Sequence, residues 1–269
     1  MLALYQYFGY DLSVPERFKM IKAAGFDALG VWCDDWFGWS DHRSFPKLAR
    51  EAGLEVIDGH APFGRDYDIV NSFWLDNRDA ETTFDIYLQT IKECAEDGVR
   101  NLIMHIEDAT GWRVLPPPSE LGFDRLKRLL DAAEKGGVCL ALENITNHTF
   151  LQTIFDRIDS PNLGFCYDAG HKNAMESTVD HLSLFGNRLI ALHLHDNTGE
   201  HDEHKIPFIG NIDWAQQMSA IAATGYTGPT TLECTAGGPG SKATAGDLSP
   251  EEWLAQAFDA GKRLEALRK

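Results

Sequence analysis

The sequence predicts an α/β fold in which a single (β/α)8 barrel occupies residues 1–269. Eight short apolar runs alternate with amphipathic segments, no long polar linker separates them, and 269 residues suffice for one barrel. An open dinucleotide-binding sheet would need a GxGxxG turn after a strand, and the sequence contains none. We therefore expect one domain, with the active site at the carboxyl ends of its strands.

The strands are predicted from short apolar runs bounded by glycine, proline or acidic residues. Their side chains alternate between two faces, so every second residue can point into the barrel. The predicted strands cover residues 2–8, 28–33, 54–60, 99–106, 138–143, 163–168, 188–195 and 230–234.

The helices are predicted from amphipathic spacing and from residues typical of helix ends. The clearest helix covers 79–97, where apolar residues recur on one face before Gly98. Ser13 with Glu16, and Ser249 with Glu252, have the spacing of a capping box, in which serine and glutamate bond reciprocally to the first turn. The predicted helices cover residues 13–25, 42–52, 79–97, 119–135, 149–158, 175–186, 213–224 and 249–269.

The composition restricts the partners and the compartment. With 24 basic and 41 acidic residues, the net charge of −17 disfavours binding to nucleic acid or to an anionic membrane. Five cysteines without CxxC spacing indicate reduced thiols and a cytoplasmic location. No apolar run is long enough to cross a membrane, and no basic region precedes the first apolar run. We expect a small-molecule partner, and the sequence leaves homo-oligomerisation open.

Residues 187–214 contain an unusual density of imidazole and carboxylate groups behind an apolar run. His193 and His195 lie on one face of the predicted strand because side chains alternate. Histidine and carboxylate groups at a strand end are the ligands that borderline divalent cations prefer, so this stretch predicts a metal site. The following loop adds Asp196, Glu200, His201, Asp202, Glu203 and His204.

Other predicted strands also end in ionisable residues. A barrel brings all strand ends to one face, so these distant residues are expected to converge. In chain order they are His60, His105, Glu143, Asp168 with His171, His193 and Glu233.

This set resembles the xylose-isomerase-like TIM barrel superfamily, in particular its sugar isomerases and epimerases. In that family one divalent cation is held by a glutamate ending strand five, an aspartate in DxxH after strand six, a histidine in an HLxDN run and a glutamate ending strand eight. The resemblance implies Glu143, Asp168, His193 and Glu233 as metal ligands. His195 has the same strand parity as His193, so a register shift of two would make it the ligand instead.

The resemblance implies a metal-dependent isomerase or epimerase of a sugar, sugar phosphate or cyclitol. Bound Mn²⁺, Zn²⁺ or Mg²⁺ would stabilise an enediolate, while Glu143 and Glu233 take and return a carbon-bound proton. No P-loop or basic phosphate clamp is evident, which favours an unphosphorylated substrate. Four aromatic residues follow strands and are candidates to stack on the sugar: Phe8, Trp36, Phe63 and Trp112.

Three alternatives remain at this stage. The apurinic-site endonucleases of the superfamily are multi-metal phosphoesterases, but the acidic charge of this chain opposes DNA binding. A metal-dependent dehydratase or lyase and a non-catalytic sugar-binding barrel are the other two. In an isomerase one metal suffices, and the remaining residues bind substrate, whereas a phosphoesterase would use them for further metal ions. These residues are His60, His105, His171, His195, Asp202 and His204.

Overall fold

The predicted (β/α)8 barrel is confirmed by the computed structural model, which describes residues 1–34, 41–63, 68–108, 115, 117–237 and 248–268. Its strands correspond to the eight predicted runs, and most are shorter than predicted. They are β1 Leu2–Tyr5, β2 Ala28–Trp32, β3 Glu55–His60, β4 Asn101–Met104, β5 Cys139–Glu143, β6 Leu163–Asp168, β7 Leu189–His193 and β8 Thr230–Leu232.

The strands pair in parallel from β1 to β7, and β1 also pairs with β8. The barrel closes between β7 and β8, where the Leu194 backbone N–H donates to the Thr231 carbonyl at 3.0 Å. The Glu233 N–H donates in turn to the Leu194 carbonyl at 3.2 Å. All strands therefore present their carboxyl ends on one face of the barrel.

Helices surround the barrel and cover its apolar outer surface. None of the helices in the described ranges is both long and apolar enough to cross a membrane. They are α1 Val14–Ala24, α2 Phe45–Glu51, α3 Asp68–Ser72, α4 Arg78–Asp97, α5 Glu120–Gly136, α6 His148–Arg157, α7 Ala169–Ala174, α8 His181–Phe185, α9 Trp214–Ala223 and α10 Pro250–Leu267.

Two helix predictions need correction. The helix predicted at 175–186 is replaced by α7 and α8, because α7 begins directly after β6, where the Asp168 carboxylate accepts the His171 backbone N–H at 2.6 Å. The capping box predicted at Ser13 is wrong, since the Ser13 side chain makes no capping hydrogen bond and α1 begins with proline in its first turn. The box at Ser249 and Glu252 is confirmed, with both reciprocal hydrogen bonds present.

The interior of the barrel has an apolar layer directly below the strand ends. Ile103, Ala141, Cys166 and Ala191 form a buried cluster there. Each lies two residues before an ionisable residue that ends the same strand or, for His105 after β4, directly follows it. The alternation of side chains therefore places the ionisable groups one layer higher. The small apolar layer therefore forms the floor of a polar site.

Candidate metal centre

Four ionisable residues converge at the carboxyl ends of β5 to β8. Glu143 ends β5, Asp168 ends β6, His193 ends β7 and Glu233 follows β8. Each is at most 5% exposed, and one ligand atom from each lies within 4.8 Å of the others. These are the residues that the resemblance implies as metal ligands, and the structure brings all four together.

The Nδ1 atom of His193 is surrounded by carboxylates. It lies 3.1 Å from Oε1 of Glu143 and 3.2 Å from Oε2 of Glu233. Oδ2 of Asp168 is 3.8 Å away. The other ring nitrogen, Nε2, lies 2.8 Å from the hydroxyl of Tyr5. Nδ1 is therefore the nitrogen that faces the ligand cluster.

The charges in this cluster favour a cation. Burial alone would lower the pKa of His193, but Cys166 and Glu233 beside it raise that pKa well above its usual value. Burial would raise the pKa of Glu143, yet the nearby His193 and His105 hold it well below its usual range. The pKa of Glu233 is lowered to about 2 against the effect of burial, chiefly by His193. Both glutamates are thus ionised at neutral pH.

A second observation, on the buried Oε2 atom of Glu143, also indicates that these four residues can bind a divalent cation. Oε2 of Glu143 is buried and makes no hydrogen bond to any described residue. Three carboxylates around one imidazole nitrogen, out of contact with water, repel one another unless a positive charge lies between them. One imidazole and three carboxylates also match the preferences of Mn²⁺, Zn²⁺ and Mg²⁺.

A second group of possible ligands is centred on Asp202 in the loop after β7. Its Oδ2 lies 3.0 Å from Nε2 of His204 and 3.3 Å from Nε2 of His171. Its Oδ1 lies 3.5 Å from Nε2 of His195. The three imidazoles hold the pKa of Asp202 well below its usual value, although burial opposes this. The four residues offer ligand atoms within 4.8 Å of one another.

A third group lies on the opposite side of Glu143. Oε2 of Glu143 is 3.3 Å from Nε2 of His105 and 3.5 Å from Nε2 of His60. Burial lowers the pKa of His105, so its ring has a tendency to stay neutral. Glu143 therefore belongs to the first group and the third, and it connects β5 to the ends of β3 and β4.

The geometry distinguishes His193 from His195, which the sequence left open. His195 lies farther along the chain, and its Nε2 is 3.2 Å from Oδ2 of Asp168. Its ring stacks on His204 with a centroid separation of 4.0 Å. His195 thus belongs to the second group, whereas His193 faces the carboxylates of the first.

The residues of the acidic loop after β7, which was predicted as part of the metal site, have different roles. Asp202 and His204 reach the second group, but Glu200 and His201 are exposed. Glu203 instead accepts the Thr198 backbone N–H at 2.7 Å. None of these three residues belongs to a group of possible ligands among the described residues, since Glu200 and His201 are exposed and Glu203 is held by Thr198 and Lys205.

Asp196 organises this loop, a role that the sequence did not reveal. Its carboxylate accepts the Phe208 N–H at 2.8 Å, the Ile212 N–H at 3.3 Å and the Trp214 indole N–H at 2.8 Å. The fully buried side chain therefore folds 197–213 back over the barrel end. The only available signal was an acidic residue directly after a histidine-bearing strand.

Asn144 performs a similar task beside Asp168. Its side-chain amide donates to the Asp168 carbonyl and accepts the Asp168 N–H, both at 2.9 Å. These two bonds continue the β5–β6 pairing and position Asp168. The asparagine directly after Glu143 in the LEN sequence was the available signal.

The predicted sugar-stacking aromatics differ in outcome. Phe8 is fully buried and stacks on Trp253 of α10, so this prediction is wrong for Phe8 because the helix covers it. Phe63 lies beside the third group, stacked on His105 with ring centroids 4.8 Å apart. Trp36 and Trp112 lie outside the described residues.

Two relatives align with most of the chain. The chain is 33% identical over 241 residues to an uncharacterised protein, MJ1311, of Methanocaldococcus jannaschii. That alignment covers 82% of this chain and 79% of MJ1311. It is 26% identical over 239 residues to a 3-dehydroshikimate dehydratase of Pseudomonas aeruginosa. That alignment covers 82% of this chain but only 36% of the dehydratase.

The fold is shared with a solved sugar epimerase. The crystal structure of D-psicose 3-epimerase with D-tagatose, from Clostridium cellulolyticum H10, superposes with a TM-score of 0.77 over 100% of both chains, at 16% sequence identity. Residues 18–264 match the sequence profile of the family described as xylose isomerase-like TIM barrel. The match covers most of the chain, which therefore belongs to the xylose isomerase-like TIM barrel family.

Proposed function

We propose that this protein is a divalent-metal-dependent sugar epimerase or isomerase in which Glu143 and Glu233 transfer the proton. The observation that carries the proposal is the pair of carboxylates, from β5 and from the end of β8, that approach Nδ1 of His193 from different strands. The fold shared with a D-psicose 3-epimerase solved with D-tagatose supports a ketose substrate.

The metal would be held by Glu143, Asp168, His193 and Glu233. When bound, it would polarise the substrate carbonyl and lower the barrier for removing the neighbouring carbon-bound proton.

The protein side chains would move the proton. Oε2 of Glu143 makes no hydrogen bond to a described residue and is ionised, so it can accept a proton from carbon. Glu233, which follows β8, three strands farther round the barrel, would act at the other face of the substrate and return a proton taken from solvent or a substrate hydroxyl. Inversion follows when removal and return occur on different faces.

The second group would hold substrate hydroxyls. Burial would lower the pKa of both imidazoles, but Asp168 and Asp202 raise that of His171, and Asp202 raises that of His204 to about 10. Asp202 is therefore an acceptor and the two protonated rings are donors, which together suit a polyol. The lysine of α7 after β6 and the lysine of the loop after β7 are already engaged within the described residues. Lys172 donates to the Ser177 carbonyl at 2.8 Å, and Lys205 pairs with Glu203 at 2.6 Å. This supports an unphosphorylated substrate.

The proposal is tested by incubating the Mn²⁺-loaded protein with a panel of ketoses, aldoses and inositol derivatives in D₂O. We expect NMR to detect deuterium at the carbon whose configuration changes. A panel in which no substrate exchanges hydrogen, although the metal is bound, would contradict an epimerase or isomerase.

A multi-metal phosphoesterase is the second candidate, favoured by the two further ligand groups around Asp202 and around His60 with His105. Such chemistry uses two or three cations to clamp the attacking and leaving oxygens. Anomalous diffraction on either side of the metal edge counts the ions. We expect one firmly held metal per chain, and two or more fully occupied ions with His60 and His105 among the ligands would favour the phosphoesterase.

A dehydratase is the third candidate, favoured by the sequence similarity to 3-dehydroshikimate dehydratase. Both reactions begin with removal of a proton beside a carbonyl, but a dehydratase then expels water and forms a conjugated product. Including 3-dehydroshikimate in the panel separates the two, because its dehydration gives an aromatic product with a new ultraviolet band that neither this substrate nor an epimerised sugar has.

A further inference from the structure

Tyr5 is the last residue of β1 and projects into the barrel beside the metal ligands. Its side chain is 1% exposed, and its hydroxyl oxygen lies 2.8 Å from Nε2 of His193. The two rings meet edge to face, with centroids 4.9 Å apart and an interplanar angle of 86°. The hydroxyl thus contacts Nε2, whereas the carboxylates of Glu143 and Glu233 lie beside Nδ1, the other ring nitrogen.

We propose that Tyr5 is a positioning residue of the metal centre, whose hydroxyl accepts the Nε2–H of His193 and so leaves Nδ1 as the ligand atom. The inference rests on the metal centre of the proposed function. A histidine binds metal through one nitrogen, and the group that holds the other nitrogen determines both the tautomer and the ring orientation. Here Nδ1 points at Glu143 and Glu233, at 3.1 and 3.2 Å.

A phenol suits this position better than a carbonyl or carboxylate would. A hydroxyl can donate as well as accept, so its contact with Nε2 persists whether Nδ1 of His193 carries a proton or a metal. Burial raises the pKa of Tyr5 well above its usual value, and the phenol therefore stays neutral beside the ligand cluster.

The backbone of β2 is adapted to this side chain. Gly30 pairs with Tyr5 in the β1–β2 register. A Cβ at Gly30 would lie between 2.5 and 2.8 Å from three atoms of the Tyr5 ring, so no larger residue fits without displacing the phenol. Trp32 and His60 border the ring farther out, each with a centroid distance of 6.4 Å.

The test compares Tyr5→Phe with Tyr167→Phe. Tyr167 is equally buried, and its hydroxyl also forms one hydrogen bond, to Gln217, so it controls for loss of a buried phenol hydroxyl. Calorimetric titration with Mn²⁺ and with Co²⁺ measures affinity, and the visible spectrum of bound Co²⁺ reports ligand geometry. We expect Tyr5→Phe to weaken binding about 10–100-fold and to change the Co²⁺ spectrum. Tyr167→Phe should retain the wild-type affinity and spectrum.

The outcomes separate this inference from the proposed function. Wild-type affinity and an unchanged Co²⁺ spectrum in Tyr5→Phe would overturn the positioning role while leaving the metal centre intact. Failure of the wild-type protein to bind either metal would overturn the proposed function, and the inference with it.

A measurement on the wild-type protein covers the case in which Tyr5→Phe does not fold. Nuclear magnetic resonance of the Zn²⁺-loaded, ¹⁵N-histidine-labelled protein identifies the protonated nitrogen of His193. We expect a proton on Nε2 and the metal on Nδ1. A proton on Nδ1, with Nε2 bound to metal or unprotonated, would overturn the inference.

Discussion

A single nitrogen, Nδ1 of His193, concentrates the electrostatics of the site. Three carboxylates lie within 3.8 Å of this nitrogen. His193, Glu143 and Asp168 are each at most 1% exposed. Surface ion pairs of this kind are screened by water, but buried carboxylates retain their mutual repulsion. One imidazolium cannot balance three carboxylates, which is why a divalent cation fits the site.

The same carboxylates should dominate catalysis. We expect Glu143→Gln and Glu233→Gln each to reduce turnover by about two to four orders of magnitude, because an amide neither accepts the proton nor balances the metal charge. The rate is measured with the sugar that the D₂O panel identifies. Glu176→Gln makes the same change outside the site and is the control. Near wild-type turnover in either site variant would remove that residue from the mechanism.

At the level of elements, Glu176 connects α6 to α8. Its carboxylate binds Nδ1 of His148 at 2.7 Å and Nε2 of His181 at 2.9 Å, and it also accepts the His148 backbone N–H. Burial would raise the pKa of Glu176, but these hydrogen bonds lower it to about 2. Glu176 thus joins the first residue of α6 to the first residue of α8. It lies within the segment 175–186, where one continuous helix was predicted.

The lowered pKa of Glu176 predicts that its contribution to the free energy of unfolding depends on pH. A carboxyl group whose pKa is lower in the folded state than in the unfolded state stabilises the fold above its unfolded pKa, and loses that effect as the pH falls toward its folded value. For Glu176 the window runs from its ordinary value of 4.5 down to about 2.

We therefore expect Glu176→Gln to lower the free energy of unfolding by about 1–3 kcal/mol at pH 7. The difference from the wild type should shrink progressively below pH 4.5. Urea unfolding of both proteins at a series of pH values measures it. A difference that stayed constant from pH 7 to pH 3 would contradict a role for the ionised carboxylate.

The packing of α5 gives a second prediction at this scale. Alanine is favoured over glycine in a helix interior by about 1 kcal/mol, but a Cβ at Gly122 would overlap the ring of Trp74. We expect Gly122→Ala to be destabilising, because overpacking costs about 1–3 kcal/mol. Thermal unfolding measures the change. In a Trp74→Phe background the same substitution should cost less, and an equal cost in both backgrounds would refute the overlap.

On the scale of the whole molecule, a bound metal would connect four strands that are distant in sequence. A ligand that binds only the folded state stabilises it by about 2.7 kcal/mol at 100 times its Kd. We expect Mn²⁺ or Zn²⁺ to raise the melting temperature and a chelator to lower it, with Asp168→Asn showing a smaller shift. Absence of metal by elemental analysis, with a melting temperature that the chelator leaves unchanged, would falsify the metal centre.

The barrel and the positions of its ionisable residues were predictable from the sequence. The alternation of side chains and the order of strands and helices are local properties of the chain, and parallel strands in a barrel must bring residues such as Glu143 and Glu233 to one face. Helix ends were less predictable, because Glu176, which lies between α7 and α8, is held by His148, 28 residues away in the sequence.

The sequence by itself determined the eight-stranded barrel and the set of acids and histidines at its carboxyl end. Only the tertiary structure decided how that set divides into three groups, that His193 rather than His195 faces the carboxylates, and that Tyr5 supports it from β1. Those outcomes depend on the register between strands and on the loop that Asp196 folds back over the barrel. Both are set by contacts between distant segments, which no local pattern contains.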